Sequence, residues 1–523
     1  MKSLYFKRAL ITALCIALAA VFCGCNIISI GGNSQQTAQA TDSGSQQTEG
    51  TQAQSTDYAE ATAASDSSVS AVETTGEFTM STEDGVFTRD GSTFTVTAAG
   101  TYSLSGALEG QIIVEAGEND EVILELNGVT ITNSADSPIK LLSADKVEIS
   151  AKAGTDNVIN DERQAKTADD DAQGSAAIYA RVDLKLKGTG TLVVNAGYNN
   201  GVHTTKDLTV QKLSLKVTAY NNALKGNDSV TVKSGTVVAI STNGDGIKTS
   251  NTDADKQGNT RGDIMLFGGS IAVYAAGDGI QAAHDFLMTA DEEGGAANLT
   301  VFTGSYSSYT AESATATSYK GIKAQNELNI EAGAVTVSSY DDGLHADMGT
   351  AFEAGGNGAG NINIEGGTVT VTVYSPDNAT GGGHMGPGGH RGGGFGGGWG
   401  GGGWSGQQSV SGADGIHADN ELNIEGGTIV VDTAYEGLEA NVINISGGST
   451  TVTAADDGVN ACSGSNTPQV NITGGYLDVT VSPSGDTDGI DSNGTYTQTG
   501  GVVITRGPAS EMAAAIDAER SIS

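Results

Sequence analysis

The stretch "DGIHADNELNIEGGTIVV", Asp414 to Val431, decides how the rest of the chain is parsed. An acidic residue and a glycine come first, then an aliphatic, a variable and a small residue. An alternating strand follows, then a Gly-Gly turn and a second alternating strand. The opening word recurs as "DGIKTSN" from Asp245, "DGIQAAH" from Asp278, "DDGLHAD" from Asp341 and "DDGVNAC" from Asp456. Aligned on the acidic or Asn position, the units start at Asn200, Asn222, Asp245, Asp278, Lys320, Asp342, Asp414, Glu436, Asp457 and Asp488. The short intervals are 22, 23, 22, 22 and 21 residues, and the long ones carry insertions. A fixed period of this size, built from short alternating strands and glycine turns, predicts a solenoid. Three strands per coil with inward Ile, Leu and Val make it an all-β, right-handed parallel β-helix of about 22 residues per coil. The calcium β-roll is the competing solenoid, but its nine-residue register is missing.

Composition agrees. Among 523 residues there are 76 Gly, only 6 Pro and few aromatics, a mixture that suits short strands and tight turns. The formal charge of −37 argues against nucleic acid or an anionic membrane surface as a direct partner. An acidic polymer could bind only with cations between the two.

The N-terminus has the pattern of a targeting segment. Lys2, Lys7 and Arg8 precede an apolar run, Ala9 to Phe22, too short to span a bilayer comfortably. The run ends in "FCGC", and Gly24-Cys25 matches the end of a bacterial lipobox, although Phe22 is an unusual residue within one. Residues 1–25 are thus expected to be a lipoprotein signal peptide. Lipidation of Cys25 would hold the mature chain on the extracellular face of the cell envelope, with plain secretion as the alternative. Membrane contact would come only through that anchor. Cys15, Cys23 and Cys25 fall in this segment, so Cys462 is left without an intradomain disulfide partner. Residues 26–78, rich in Ser, Thr, Gln and Ala, are expected to be a disordered tether. The repetitive domain would occupy 79–523 and act as a monomer.

In "DGIHA" the Ile and Ala should face inward and the variable position outward. Stacked coils turn that position into a column of His203, Lys225, Lys248, Gln281, Lys323, His345, His417, Glu439, Asn460 and Asp491. The acidic position becomes a second column of Asp245, Asp278, Asp342, Asp414, Glu436, Asp457 and Asp488. Bare carboxylates one coil apart repel by several kcal/mol at ~5 Å when the effective dielectric is about 20. A cation between them removes the repulsion, and oxygen ligands point to Ca²⁺. The bland alternative is turn chemistry, with Asp making an Asx-turn and Gly supplying positive φ. A separate calcium-loop candidate is "SNTDADKQGN", where Asn251, Asp253 and Asp255 alternate, although the expected Gly and Glu do not follow.

The words "GTYSLSGALEGQIIV", "YNNGVHTTKDLTV", "DGIKTSN", "DGIQA", "KGIKA", "DGIHAD", "YEGLEA" and "DGIDSNG", in this order, resemble the bacterial carbohydrate-binding β-helix family over roughly residues 77–523. Its members are secreted or lipid-anchored, bind cellulose and pectin-like acidic sugars, and resemble polysaccharide lyases in fold. The resemblance implies calcium sites and glycan binding without establishing lyase activity. The terminal "GPASEMAAAIDAERSIS" resembles the start of a further coil, with Asp517 at an expected acidic place, so the C-terminal end is expected to be truncated.

A uronate lyase would need a Lys or Arg of lowered pKa as its base. Lys248 and Lys323, beside the acidic column, are the candidates, with Lys225 behind them. Neighbouring carboxylates raise a lysine pKa, which favours charge balance as their role. His345 and His417 could meet if the insertion between them loops out, and as a metal pair they would need a third ligand; the simpler expectation is solvated column residues. For carbohydrate, Trp399 and Trp404 with Phe395 lie in the Gly-rich insertion 381–406, Tyr340 and Tyr435 lie near coil turns with Tyr220, Tyr274 and Tyr374, and His345 and His417 complete the candidate set. The Gly-rich run alone would equally make a flexible loop. The resulting expectation is a cell-surface, calcium-dependent, non-catalytic binder of plant-type or acidic polysaccharide. The alternatives are a lyase and a passive adhesive rod.

Overall fold

The computed structural model describes residues 78–165, 174–304, 318–348, 358–374, 412–462, 467–483, 485, 487–508 and 513–523. The expected signal peptide with Cys25, nearly all of the tether, and the insertion with Trp399, Trp404 and Phe395 lie outside the described residues.

Every regular element among the described residues is a β-strand. The 41 strands join in one sheet, almost all parallel. Two antiparallel pairings, Thr79–Thr82 with Gly100–Glu109 and Phe87–Asp90 with Thr93–Val96, lie at the N-terminal end. Through most of the remaining chain a strand pairs in parallel with the third strand after it, which produces three ladders. The first runs Ile280↔Ile322↔Leu344↔Ile416↔Leu438↔Val459↔Ile490. The second runs Leu328↔Ile362↔Leu422↔Ile443↔Val470. The third runs Val335↔Val369↔Ile429↔Thr450↔Leu477. This pairing is compatible with the solenoid expected from the 22-residue period.

Alternation explains the ladders. In Thr368–Val373, "TVTVTV", the valines 369, 371 and 373 are buried and the threonines between them face out. The buried aliphatics of all three ladders belong to one continuous core. Each fully buried Ile, Leu or Val contributes about 1.5–3 kcal/mol relative to exposure. On the outer side of the second ladder, asparagine amides stack rung on rung. Asn363, Asn423, Asn444 and Asn471 each donate from Nδ2 to the Asn Oδ1 of the preceding rung, at 2.8, 2.9, 2.8 and 3.0 Å. Such a ladder satisfies side-chain amides that strand packing would otherwise strip of water.

The glycines of the repeat have two different jobs. The second Gly of the Gly-Gly turn, as at Gly427 with φ +83°, sits in the left-handed region that Cβ-bearing residues avoid. The Gly after the acidic residue was expected to be a turn glycine as well, and it is not. Gly343 lies outside that region, and a Cβ there would come 2.1 Å from Val371 Cγ1 and 2.7 Å from the Gly415 carbonyl oxygen. It is required by close packing of the first ladder against the third.

Candidate functional site

The acidic column forms, and its first role is structural. Asp278 N–H donates to Asp245 Oδ1 at 2.9 Å, Lys320 N–H to Asp278 Oδ1 at 2.8 Å, and Asp414 N–H to Asp342 Oδ1 at 2.9 Å. Glu436 N–H donates to Asp414 Oδ1 at 3.3 Å and Asp488 N–H to Asp457 Oδ1 at 2.6 Å. At these five rungs one carboxylate oxygen therefore completes the backbone of the next. A neutral acceptor does the same work, since Asp245 N–H donates to Asn222 Oδ1 at 3.0 Å. The turn requires an acceptor, and the charge is surplus to it. What each second oxygen meets is the functional question.

The variable positions stack in the expected register, from His203↔Lys225 through His345↔His417 to Asn460↔Asp491. Their expected solvation is only partial, with three of the ten positions buried and the other seven half-buried. His203 is 0% exposed, Lys225 3% and His345 8%. Adjoining segments cover them: His203 bonds through its ring nitrogens to Ser175 Oγ and Asn227 Oδ1, both at 3.1 Å, with the Tyr179 ring edge-on at 5.6 Å.

Toward the N-terminal side the second oxygens of Asp245 and Asp342 meet lysines. Lys248 Nζ lies 2.9 Å from Asp245 Oδ2, and Lys323 Nζ lies 2.9 Å from Asp347. Both lyase-base candidates are thus ion-paired, which is the geometry of charge balance. Lys320 takes an acid's place in the column and bonds Asp341 at 3.0 Å and Asp342 at 2.5 Å. Burial opposes the Lys320 charge, but Asp342 and Asp341 outweigh it and hold its pKa above the usual range. Burial likewise opposes the Asp342 carboxylate, yet Lys320 and then His345 hold its pKa well below normal.

From Asp414 onward no lysine or arginine occupies either column. Burial, then Glu439 and Asp342, push the Asp414 carboxyl well above its ordinary range despite its bond to His417. Burial and then the charges of Asp414 and Glu439 do the same to Glu436. Asp457 is pushed to about 8 by burial, with Asp456 and Asp491 adding to it. Asp491 is pushed to about 6 by burial and then by Asp488 and Asp517. Asn460 donates to Glu436 Oε2 at 2.7 Å, while its own Oδ1 is buried without a hydrogen-bond partner. Asp278, further up, is pushed to about 7 by burial and Asp245.

Four groups among the described residues bring three potential ligand atoms within 4.8 Å of one another: Asp342–His345–His417, Asp414–His417–Glu439, Asp488–Asp491–Asp517 and Asp263–His284–Asp285. Asp342, Asp414 and Asp488 of the expected metal residues are in such groups. Asp245, Asp278, Glu436, Asp457, Asp253 and Asp255 are not. Asp255 instead caps its own loop, accepting from the Gln257 and Asn259 N–H groups at 2.8 Å each. Glu439 and Asp491 entered the sequence argument only as variable positions, and the column register was the signal that could have promoted them. His284, whose Nδ1 lies 2.7 Å from Asp263, carried no sequence signal of this kind.

The tyrosines border the same edge. Tyr340 directly precedes Asp341 and Asp342, and its ring lies 5.5 Å from that of Tyr374 on the neighbouring rung, tilted by 36°. Tyr374 is 39% exposed. Tyr274 and Phe302 stack with parallel planes at 5.4 Å, a pairing made by the third ladder. Tyr435 is half-buried over Gly412, so it is less available as a platform.

The chain matches known proteins. A family model described as carbohydrate-binding domain-containing protein matches residues 90–379 and 350–458. A protein of that description from Acetivibrio thermocellus is 41% identical over 126 residues, which are 24% of this chain and 44% of that relative's length. A solved structure titled as the polysaccharide lyase-like protein from C. thermocellum, a gadolinium derivative, is 35% identical. That likeness covers 43% of this chain and 86% of the other, with a TM-score of 0.38. With the family model spanning well over half of its residues, the chain belongs to the carbohydrate-binding domain-containing family.

Proposed function

We propose that the protein is a non-catalytic, calcium-dependent binder of plant-type or acidic polysaccharide, such as cellulose or a pectin-like polymer. The three ladders would wind as a right-handed parallel β-helix, carried on the outer face of the cell envelope by a lipid on Cys25. The observation that carries the proposal is the shared edge of aromatic rings and carboxylates. Tyr340 and Tyr374 offer neighbouring, mutually tilted rings beside the acidic column, where sugar rings can lie by apolar contact.

Calcium suits the C-terminal part of that column. Asp488, Asp491 and Asp517 converge as an all-oxygen set, and hard cations take oxygen ligands at 2.3–2.6 Å. The orphaned Oδ1 of Asn460 is a further oxygen in want of a partner, one rung above Asp491. Calcium bound there would offset the carboxylate excess and could take an acidic sugar as an additional ligand.

The test is retention of the full chain on cellulose and on polygalacturonate, with and without calcium. Retention that EDTA abolishes and calcium restores is expected. Retention indifferent to EDTA would remove calcium from the proposal, and no retention on any glycan would leave a passive surface rod.

A further inference from the structure

Asp414 was expected to share an oxygen-only calcium column, and its surroundings contain imidazole instead. His417 Nδ1 lies 3.2 Å from Asp414 Oδ2 and 3.4 Å from Glu439 Oε2. A tetrahedral ion with arms of about 2.0–2.1 Å separates its ligand atoms by about 3.3 Å. One buried and one half-buried carboxylate, Asp414 and Glu439, converge on one ring nitrogen and match two edges of such a tetrahedron. The third neighbour is His345, one rung away, whose ring centroid is 4.8 Å from that of His417.

The outer layer is built as well. Metal-binding imidazoles normally engage a carboxylate through the nitrogen that does not bind the ion. Asp419 Oδ1 lies 3.4 Å from His417 Nε2, and Asp419 is itself held by the Met348 N–H at 2.9 Å. Glu439 Oε1 accepts from the Cys462 thiol at 3.1 Å, which leaves Oε2 for the His417 side. On the far side, Asp342 lies 2.8 Å from His345 Nδ1 and is neutralised by Lys320, so its role there is to orient His345.

We propose that Asp414, His417 and Glu439 bind a divalent first-row transition-metal ion of the zinc class, with the fourth position open to His345 or water. The mixed nitrogen and oxygen donors select against calcium, which takes oxygen. The site is thus distinct from the carboxylates further along the column, and it stands whether or not those hold calcium. With His345 in the fourth position the ion would tie together two neighbouring rungs that lie 72 residues apart in the chain.

The test uses the full chain stripped of metal, then titrated with Zn²⁺ against a chromophoric chelator in saturating calcium, and separately with Co²⁺. One equivalent of zinc and the intense visible absorption of four-coordinate cobalt are expected. His417→Gln and Glu439→Gln should abolish uptake, Asp419→Asn should weaken it by about 10–100-fold, and Asp488→Asn should leave it unchanged. Far-ultraviolet circular dichroism checks that each variant folds. Absent zinc uptake in calcium, weak six-coordinate cobalt absorption in the native chain, or uptake undiminished in a folded His417→Gln would each overturn the proposal. Because glycan retention is measured separately, its failure and the failure of this site are distinguishable.

Discussion

The two columns change character between His345 and Asp414. From Asn200 to His345 the acidic and variable positions together hold three carboxylates and four lysines; from Asp414 to Asp491 they hold six carboxylates and no lysine or arginine. The backbone is served alike in both regions, because each rung needs one oxygen for the next N–H. The difference lies in the second oxygen. In the first region lysine ammonium groups pair with it at Asp245 and Asp342, so those two carboxylates need no further cation. In the second, burial without a cation holds Asp457 and Asp491 protonated up to about 8 and about 6. Stacked parallel strands can thus repeat one backbone device while their charges divide into a self-neutralised part and a part in carboxylate excess.

The comparison breaks most severely at Lys320. Replacing it by Met leaves Asp341 and Asp342 half-buried or buried without their amine, making the first region resemble the second. Removing one partner of a buried pair costs about 3–5 kcal/mol, so denaturant melts of Lys320→Met should show a loss of that order. Asp341→Asn/Asp342→Asn in that background should recover part of it. A loss under about 1 kcal/mol would mean the pair is solvent-screened like a surface bridge.

Calcium should act on the second region alone. At a free concentration of 100 times Kd, one site adds about 2.7 kcal/mol to stability, measurable as a higher melting temperature. Asp488→Asn should cancel most of the response and Asp245→Asn should keep it. Equal responses in the two variants would dissolve the distinction.

The pH dependence without divalent ions sharpens the same point. An Asp whose folded pKa is raised keeps its proton in the folded state after the unfolded chain has lost it. Stability from such groups is therefore highest below the ordinary 3.8 and falls as pH rises, until about 6 for Asp491, 7 for Asp278 and 8 for Asp457. Melting temperatures should fall by a few degrees across that window. Asp457→Asn should flatten its upper part, and calcium should flatten the contribution of the second region. Asp278 is the exception in the first region, since Lys320, on the next rung, spends its amine on Asp341 and Asp342.

The smallest effect is expected at the aromatic border. Tyr374→Ala removes an exposed ring face and should weaken glycan retention by about two- to ten-fold, in line with the energy of one aromatic contact, without changing the melting curve. Retention unchanged in Tyr340→Ala/Tyr374→Ala would place the platform elsewhere.

Much of this was legible in residue spacing. The period of Asp-Gly words put His203, Lys225, Lys248 and their successors into one register, and the paired strands reproduce it. What spacing could not show was the burial of that column, because His203 is covered by Ser175, Asn227 and Tyr179 from other segments. Nor could it separate the glycine of close approach at Gly343 from the left-handed glycine at Gly427, since both are simply Gly in a repeat. The asparagine ladder lies in the sequence as "LNI", "INI" and "VNI" words, which have no meaning until the rungs are stacked.

By itself the sequence determined the all-β character, the parallel register and the identity of the core, because a period of two within strands and of about 22 between them leaves few ways to bury Ile, Leu and Val. Tertiary structure decided what the charges do. A carboxylate's state depends on burial and on groups within a few ångströms, and those come from rungs and turns remote in the chain. Asp342 meets Lys320 and becomes a settled anion, whereas Asp414 meets His417 and Glu439 and does not.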